Sequence, residues 1–271
     1  MRTRIISGIV MVPVVVILFL LGGNFLKGAL LIASLIGMNE FYKAFSKENK
    51  PIHFVGYIFA VIYYLFMERI NGNGTLFSMF VAAFLLVILS LQVKFHKTVC
   101  VTTLITVFFG MFYVSLMLSY LYLIRSFEYG KFIVWLPIIA AWGCDTGAYF
   151  TGCAFGKRKL IPDLSPKKTV EGAVGGVLIA TILAFLFAVI TEKYVSFDGY
   201  NFRILCVLAG FFGSIFSQFG DLSASAIKRY TGIKDYGKLI PGHGGILDRF
   251  DSVLFTAPAV YIVFNLLMYI K

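Results

Sequence analysis

Nine stretches of this chain are apolar for long enough to cross a bilayer: approximately residues 5–22, 25–44, 52–68, 75–92, 100–121, 132–151, 172–191, 203–221 and 251–270. Crossing the hydrocarbon core takes about 20 apolar residues as helix, and lipid offers backbone polar groups no partner outside a helix or a closed barrel. The runs are continuous rather than alternating, so they predict helices and not barrel strands. With 59% hydrophobic and only 14% charged residues in 271, a water-soluble domain could not hide them. The expected fold is an all-α integral membrane protein of about nine transmembrane helices. The first run follows Arg2 and Arg4 as a signal peptide's apolar middle would, but no small-residue cleavage pattern comes after it, so it reads as an anchor.

Placing the N-terminus in the cytoplasm puts seventeen of the 24 Lys and Arg residues inside. These are Arg2, Arg4, Lys43, Lys47, Lys50, Lys94, Lys97, Lys157, Arg158, Lys159, Lys167, Lys168, Lys228, Arg229, Lys234, Lys238 and Arg249. Short loops with such a bias orient a membrane protein, and the C-terminus then lies outside. The net charge of +11 follows in part from that topology and from attraction to anionic lipid headgroups, and does not call for nucleic acid. Cys100, Cys144, Cys153 and Cys206 show no CxxC spacing and read as small buried residues.

Aspartate is unevenly spread: the first 144 residues hold none, and Asp145, Asp163, Asp198, Asp221, Asp235, Asp248 and Asp251 all follow. Residues 1–130 therefore read as scaffold helices. Residues 131–271 read as the catalytic region, with cytoplasmic loops at 152–171 and 222–250. Asp145 falls well inside an apolar segment, where a carboxylate costs several kcal/mol unless it meets a wet cavity or a cation. It is a functional candidate, with a structural ion pair to a neighbouring helix as the alternative. Gly143, Gly147 and Gly152 beside it suit either close backbone approach or plain helix packing.

Downstream, GKRKLIPDLSPKKTVEGAVGG carries five basic residues ahead of the next helix. Ser165 or Thr169 is placed to cap that helix, whose N-terminal amides favour a phosphate, and Lys167 and Lys168 add point charges to the same anion. An ordinary positive-inside loop is the alternative. If the eighth span continues into water, Asp221, Ser225 and Lys228 share one face at spacings of four and three. Asp248 and Asp251 likewise face one way at the start of the last span. Carboxylates so arranged make a hard oxygen site of the kind Mg²⁺ takes, with water and substrate phosphate completing it. Between them, KDYGKLIPGHGGILDRFDS has the glycines for a phosphate-cradling turn but not the order of a P-loop. His243 is either a general base or a hydrogen-bonding group of the loop.

The pattern Ser225-x-x-Lys228-Arg229, four residues, Lys234-Asp235, five residues, Pro241-x-His243-Gly244-Gly245-x-x-Asp248-Arg249-x-Asp251 resembles the signature of phosphatidate cytidylyltransferases, or CDP-diacylglycerol synthases. Asp145-Thr-Gly147-Ala148-Tyr149-Phe150 and Ser165-Pro166-Lys167-Lys168-Thr169-x-Glu171-Gly172 resemble other stretches shared by that family. Val170 departs from it, standing where the family usually has Trp.

The resemblance implies transfer of cytidylate from CTP to phosphatidate, giving CDP-diacylglycerol and pyrophosphate, at the cytoplasmic face of a bacterial inner membrane. It implies Mg²⁺, as more than one cation, on Asp221, Asp248 and Asp251, with Asp145 a further ligand or a support to the ligands. Lys167, Lys168, Lys228 and Arg229 would contact phosphates, and Ser165, Thr169, Ser225, Lys234, His243, Gly244, Gly245 and Arg249 would complete the substrate site. It is also compatible with a homodimer, which no residue here requires. Rival readings are an ion-coupled secondary transporter, against which the absence of repeated halves counts, and another lipid-headgroup transferase.

Overall fold

The computed structural model describes residues 2–45, 52–195, 197 and 200–269; Lys47, Lys50 and Asp198 lie outside them. The chain begins with α1 (Arg2–Leu21), α2 (Gly23–Phe45), α3 (Ile52–Asn71) and α4 (Gly74–Lys94). Next, α5 (Val101–Gly110) runs through a π-helical turn, Met111–Leu116, into α6 (Met117–Arg125). After the short α7 (Gly130–Ile133) and α8 (Leu136–Phe155) comes an antiparallel hairpin of β1 (Lys159–Ile161) and β2 (Ser165–Thr169). The remainder is α9 (Val170–Thr191), α10 (Phe202–Tyr230), α11 (Leu247–Phe250) and α12 (Val253–Tyr269).

Each expected span falls on helix, and among the described residues seven helical segments are long and apolar enough to cross a membrane. The protein is an all-α integral membrane protein. Of the other two expected spans, α1 contributes a shorter apolar stretch, Met11–Leu21. Helix α2 carries Lys27, Glu40 and Lys43.

Three local expectations are amended. The segment 152–171 is not simply a loop: α8 runs to Phe155, and the hairpin pairs Lys159 with Thr169 and Ile161 with Ser165. Strand pairing, with Val170 N–H donating to the Arg158 carbonyl at 2.9 Å, gives partners to backbone groups that sit beside apolar helices. Helix α10 continues past residue 221 to Tyr230, so its 29 residues reach roughly 44 Å, more than a hydrocarbon core is thick. Cys144 and Cys206 are buried as expected, but Cys100 and Cys153 are exposed, the first at the N-cap of α5 and the second on an open face of α8.

The backbone forms two compact units, Met1–Ser119 with Ile233–Asp248, and Tyr120–Gly232 with Arg249–Lys271. The first has an aromatic core. Tyr42, Tyr63, Tyr64, Phe41 and Phe84 are almost wholly buried, and tyrosine hydroxyls find partners: Tyr42 donates to the Val107 carbonyl at 3.0 Å, and Tyr64 pairs with Ser34 at 2.9 Å. A tyrosine inside lipid-spanning helices needs such a partner.

The second unit packs on small residues. Gly143 and Gly147 of α8 face Ala180, Gly176 and Ile179 of α9, and a Cβ on Gly176 would lie 2.7 Å from the Cys144 carbonyl oxygen. Lipid tails are as apolar as the side chains, so helices in a bilayer associate through close van der Waals contact, which small residues permit. The glycines beside Asp145 thus serve helix packing. On α10, Gly213 meets Ala140, and a Cβ on Gly220 would come within 2.6 Å of the Asp251 carbonyl oxygen, which draws α10 against the turn before α12.

Gly176→Leu is expected to break the α8–α9 seam and leave little monodisperse protein after detergent extraction. Gly74→Ala, where a Cβ meets nothing within 4 Å, should shift thermal unfolding little. Indistinguishable melting and size-exclusion profiles for the two variants would contradict this account of the seam.

Candidate active site

The second unit holds a cavity of about 440 Å³. Helix α8 supplies Cys144, Asp145, Tyr149 and Cys153; the hairpin supplies Leu160, Lys167, Lys168 and Thr169; α9 supplies Gly172 and Ala173; α10 supplies Gln218 and Asp221. Asp145 is exposed, and the cavity is where its carboxylate opens, which is how a charge is tolerated within an apolar helix.

Local sequence explains each placement. Thr169 caps α9 by accepting the Gly172 N–H at 3.1 Å. Glu171, in the first turn, accepts the main-chain N–H groups of Lys157 at 3.0 Å and of Arg158 at 3.1 Å, lashing the start of the hairpin to the helix. On β2, Lys167 is exposed while Lys168 is half-buried and ion-paired with Asp221. On α10, Gln218 donates to the Ala173 carbonyl at 2.9 Å and, at 3.5 Å, to the Cys144 sulfur. One amide thereby joins α8, α9 and α10.

Electrostatically the carboxylates form a group. Asp145 interacts with Asp221, Lys168 and Arg249, and Asp251 interacts with Asp221, Lys228 and Asp145. Asp251 also accepts its neighbour Ser252 N–H at 2.7 Å. Among the described residues no three His, Cys, Asp or Glu side chains are gathered tightly enough to hold a metal by themselves. The donor chemistry still suits Mg²⁺, which is commonly held by one or two carboxylates plus substrate phosphates and water. On Asp221, the Lys168 ammonium already takes a cation's place. Asp145, Asp221 and Asp251 are the residues that would hold it.

Asp248 belongs to a different arrangement, in the first unit. It is 5% exposed, and its Oδ2 accepts the N–H groups of Tyr236 at 2.8 Å and Gly245 at 3.0 Å. Beside it is Glu40 of α2, 6% exposed, accepting Ile246 N–H at 3.1 Å and Leu247 N–H at 2.9 Å. A Cβ on Gly237 or Gly245 would overlap the Glu40 carboxylate, and one on Gly244 would lie 2.8 Å from Asp248 Oδ2. His243 N–H donates to the Ile240 carbonyl at 2.9 Å, and Gly242 at φ 78° follows Pro241, the makings of a type II turn. In this structure the glycines make room for carboxylates and turns.

Of the residues named from sequence, Asp145, Lys167, Lys168, Thr169 and Asp221 share the cavity, and Ser225, Lys228, Arg249 and Asp251 lie in the same unit. Ser165 pairs within the hairpin, and Arg229 and Lys234 are exposed. Sequence reading missed Glu40 and Gln218, and gave Tyr149 no role beyond its place in the shared Asp145–Phe150 stretch. A carboxylate inside the apolar run 25–44 was the available signal for Glu40; Gln218 gave none.

Fold and cavity together define an integral membrane protein with a site of ammonium and carboxylate groups set among apolar helices. Residues 2–267 match the sequence profile of the Cytidylyltransferase family. The chain is 33% identical to a phosphatidate cytidylyltransferase of Bacillus subtilis, over 98% of each chain. It is 33% identical to one of Thermotoga maritima, over 98% of this chain and 97% of that one. To one of Haemophilus influenzae it is 44% identical over 48% of this chain and 44% of the relative. The chain belongs to the cytidylyltransferase family.

Glu40→Ala leaves two buried amides without acceptors, an expected loss of ~2–4 kcal/mol. The exposed Lys234 and Lys238 should then be cut by trypsin faster than in the parent protein, with Glu40→Gln intermediate because it keeps one acceptor oxygen. Unchanged cleavage would remove Glu40 from the account of this loop.

Proposed function

We propose that this protein joins CTP and phosphatidate to give CDP-diacylglycerol and pyrophosphate, at the cytoplasmic face of a bacterial inner membrane. The observation that carries the reading is a cavity in which Asp145 and Asp221 of membrane-spanning helices meet Lys168 of the hairpin. The names of the curated relatives supply the substrates.

A phosphate monoester, with a second pKa of about 6, is largely dianionic at neutral pH and needs no strong base to become a nucleophile. Its oxygen attacks the α-phosphorus of CTP, the bond from that phosphorus to the β-bridging oxygen breaks, and pyrophosphate leaves. The barrier comes chiefly from repulsion between two polyanions, so the task of the protein is positioning and charge. Lys167 and Lys168 meet phosphate oxygens in the cavity, and Lys228, Arg229 and Arg249 extend the positive field. Asp221 holds Lys168 in place. Asp145, Asp221 and Asp251 would bind Mg²⁺, whereas Asp248, which the family signature also names, is occupied by the Tyr236 and Gly245 amides. Mg²⁺ held by these carboxylates would supply positive charge to offset that developing on the leaving group. His243 is not required as a base, and its backbone serves the loop turn.

The test is product analysis on detergent-solubilised protein given radiolabelled CTP, phosphatidate and Mg²⁺. Labelled CDP-diacylglycerol is expected, and EDTA should abolish its formation. Chemistry survives loss of compartments and transport does not, so absence of product would return the transporter reading to the front. Asp221→Asn and Asp251→Asn should each lower kcat by at least about a hundredfold, the size found when an electrostatic group at a reacting centre is removed. Both variants should still extract as folded protein; retained turnover would remove the two aspartates from the chemistry.

A further inference from the structure

Beside the polar cavity lies an apolar recess of about 300 Å³ between α9 and α10. Leu160, Ala173 and Gln218 line both spaces, so one wall serves the two. Beyond that wall the recess is bounded by hydrocarbon, chiefly Val177, Ile215 and Phe219. Gln218 is the divider: its amide donates to the Ala173 carbonyl at 2.9 Å across the α9–α10 seam. Ala173 and Val177 belong to the first two turns of α9, within roughly 10 Å of its start, so the recess lies near one end of the span and not at mid-membrane.

We propose that this recess receives one acyl chain of the lipid substrate while the lipid's phosphate occupies the polar cavity, with Gln218 at the level of the glycerol between them. The proposal deepens the phosphatidate reading and rests on it. Continuity selects the occupant. A molecule filling both spaces must be a polyanion joined to a hydrocarbon tail, which describes an acidic phospholipid and not a helix from a second copy of the chain. Phe219 is 57% exposed, which leaves the outer side of the recess open to the bilayer.

Transfer of a chain from bilayer to recess gains almost nothing by itself, because lipid tails are as apolar as the residues that line it. The recess acts by removing a conflict. When the phosphate is drawn into a polar cavity, the first methylenes of the tail follow it, and without an apolar wall each one left in polar surroundings opposes binding by about a threefold to fourfold factor. The recess therefore sets the depth of the phosphate.

Two measurements test this. First, the protein in detergent micelles is irradiated with phosphatidate carrying a diazirine on one acyl chain, and adducts are located by mass spectrometry. Adducts concentrated on the segments containing Val177 and Phe219, and displaced by unlabelled phosphatidate, are expected. Labelling spread over all lipid-facing helices, as a diazirine phosphatidylcholine control would give, overturns the proposal. Second, Val177→Trp fills the recess, and the ratio of kcat/KM for dioleoyl over dihexanoyl phosphatidate should fall about tenfold, equivalent to leaving roughly two methylenes in polar surroundings. If Val177→Trp does not accumulate, Ile215→Phe narrows the same space. An unchanged ratio overturns the proposal. Because labelling needs no turnover, localised adducts in a protein that makes no CDP-diacylglycerol would leave the recess standing and refute the activity instead.

Discussion

A carboxylate is stable within an apolar helix only where water or a cation reaches it, and Asp145 makes that demand on everything around it. The glycines of α8 and α9 answer it. Gly143, Gly147 and Gly176 let the helices touch, and Gly152 and Gly172, a turn or two along the same seam, continue that close contact where it borders the cavity. The hairpin then brings Lys168 to Asp221, so the charges in this unit are of both signs. Packing and chemistry come from one stripe of small residues.

The two acids of the glycine loop behave in the opposite way. Glu40 and Asp248 are dry, and main-chain N–H groups donate to their oxygens. A buried carboxylate supplied with such donors is a fastening, because the amides would otherwise be left without acceptors. Asp145, by contrast, opens to a cavity and has the cations Lys168 and Arg249 nearby. Exposure and the nature of the partners separate the two kinds of acid, although both lie in or beside apolar helices.

Much of this was legible in sequence. Continuous apolar runs locate the helices because lipid forbids unpaired backbone, a constraint strong enough to act residue by residue. Asp145 stood out for the same reason, and the spacing of Asp221, Ser225 and Lys228 fixes a common helical face. The hairpin was not legible: LSPKKT has little of the β-branched or aromatic character of strands, and its pairing depends on how α8 and α9 already converge. Glu40 was hidden because its partners, Ile246 and Leu247, are some two hundred positions away in sequence. The glycines of the loop were read as room for phosphate, and the room is taken by side chains whose distance along the chain conceals them. The exposure of Cys153 depended likewise on where the cavity opens.

Helix α10 is one unbroken element from Phe202 to Tyr230. Asp221 and Lys228 are therefore fixed on a single rod about 10 Å apart along its axis, as graduations are fixed on a ruler. The hairpin that presents Lys168 is held differently, by a pairing of two short strands and by the lashing of Glu171. For the polyanions of the proposed reaction, the scale on α10 is set by one helix, whereas the place of Lys168 is set by strand pairing and two bonds to Glu171.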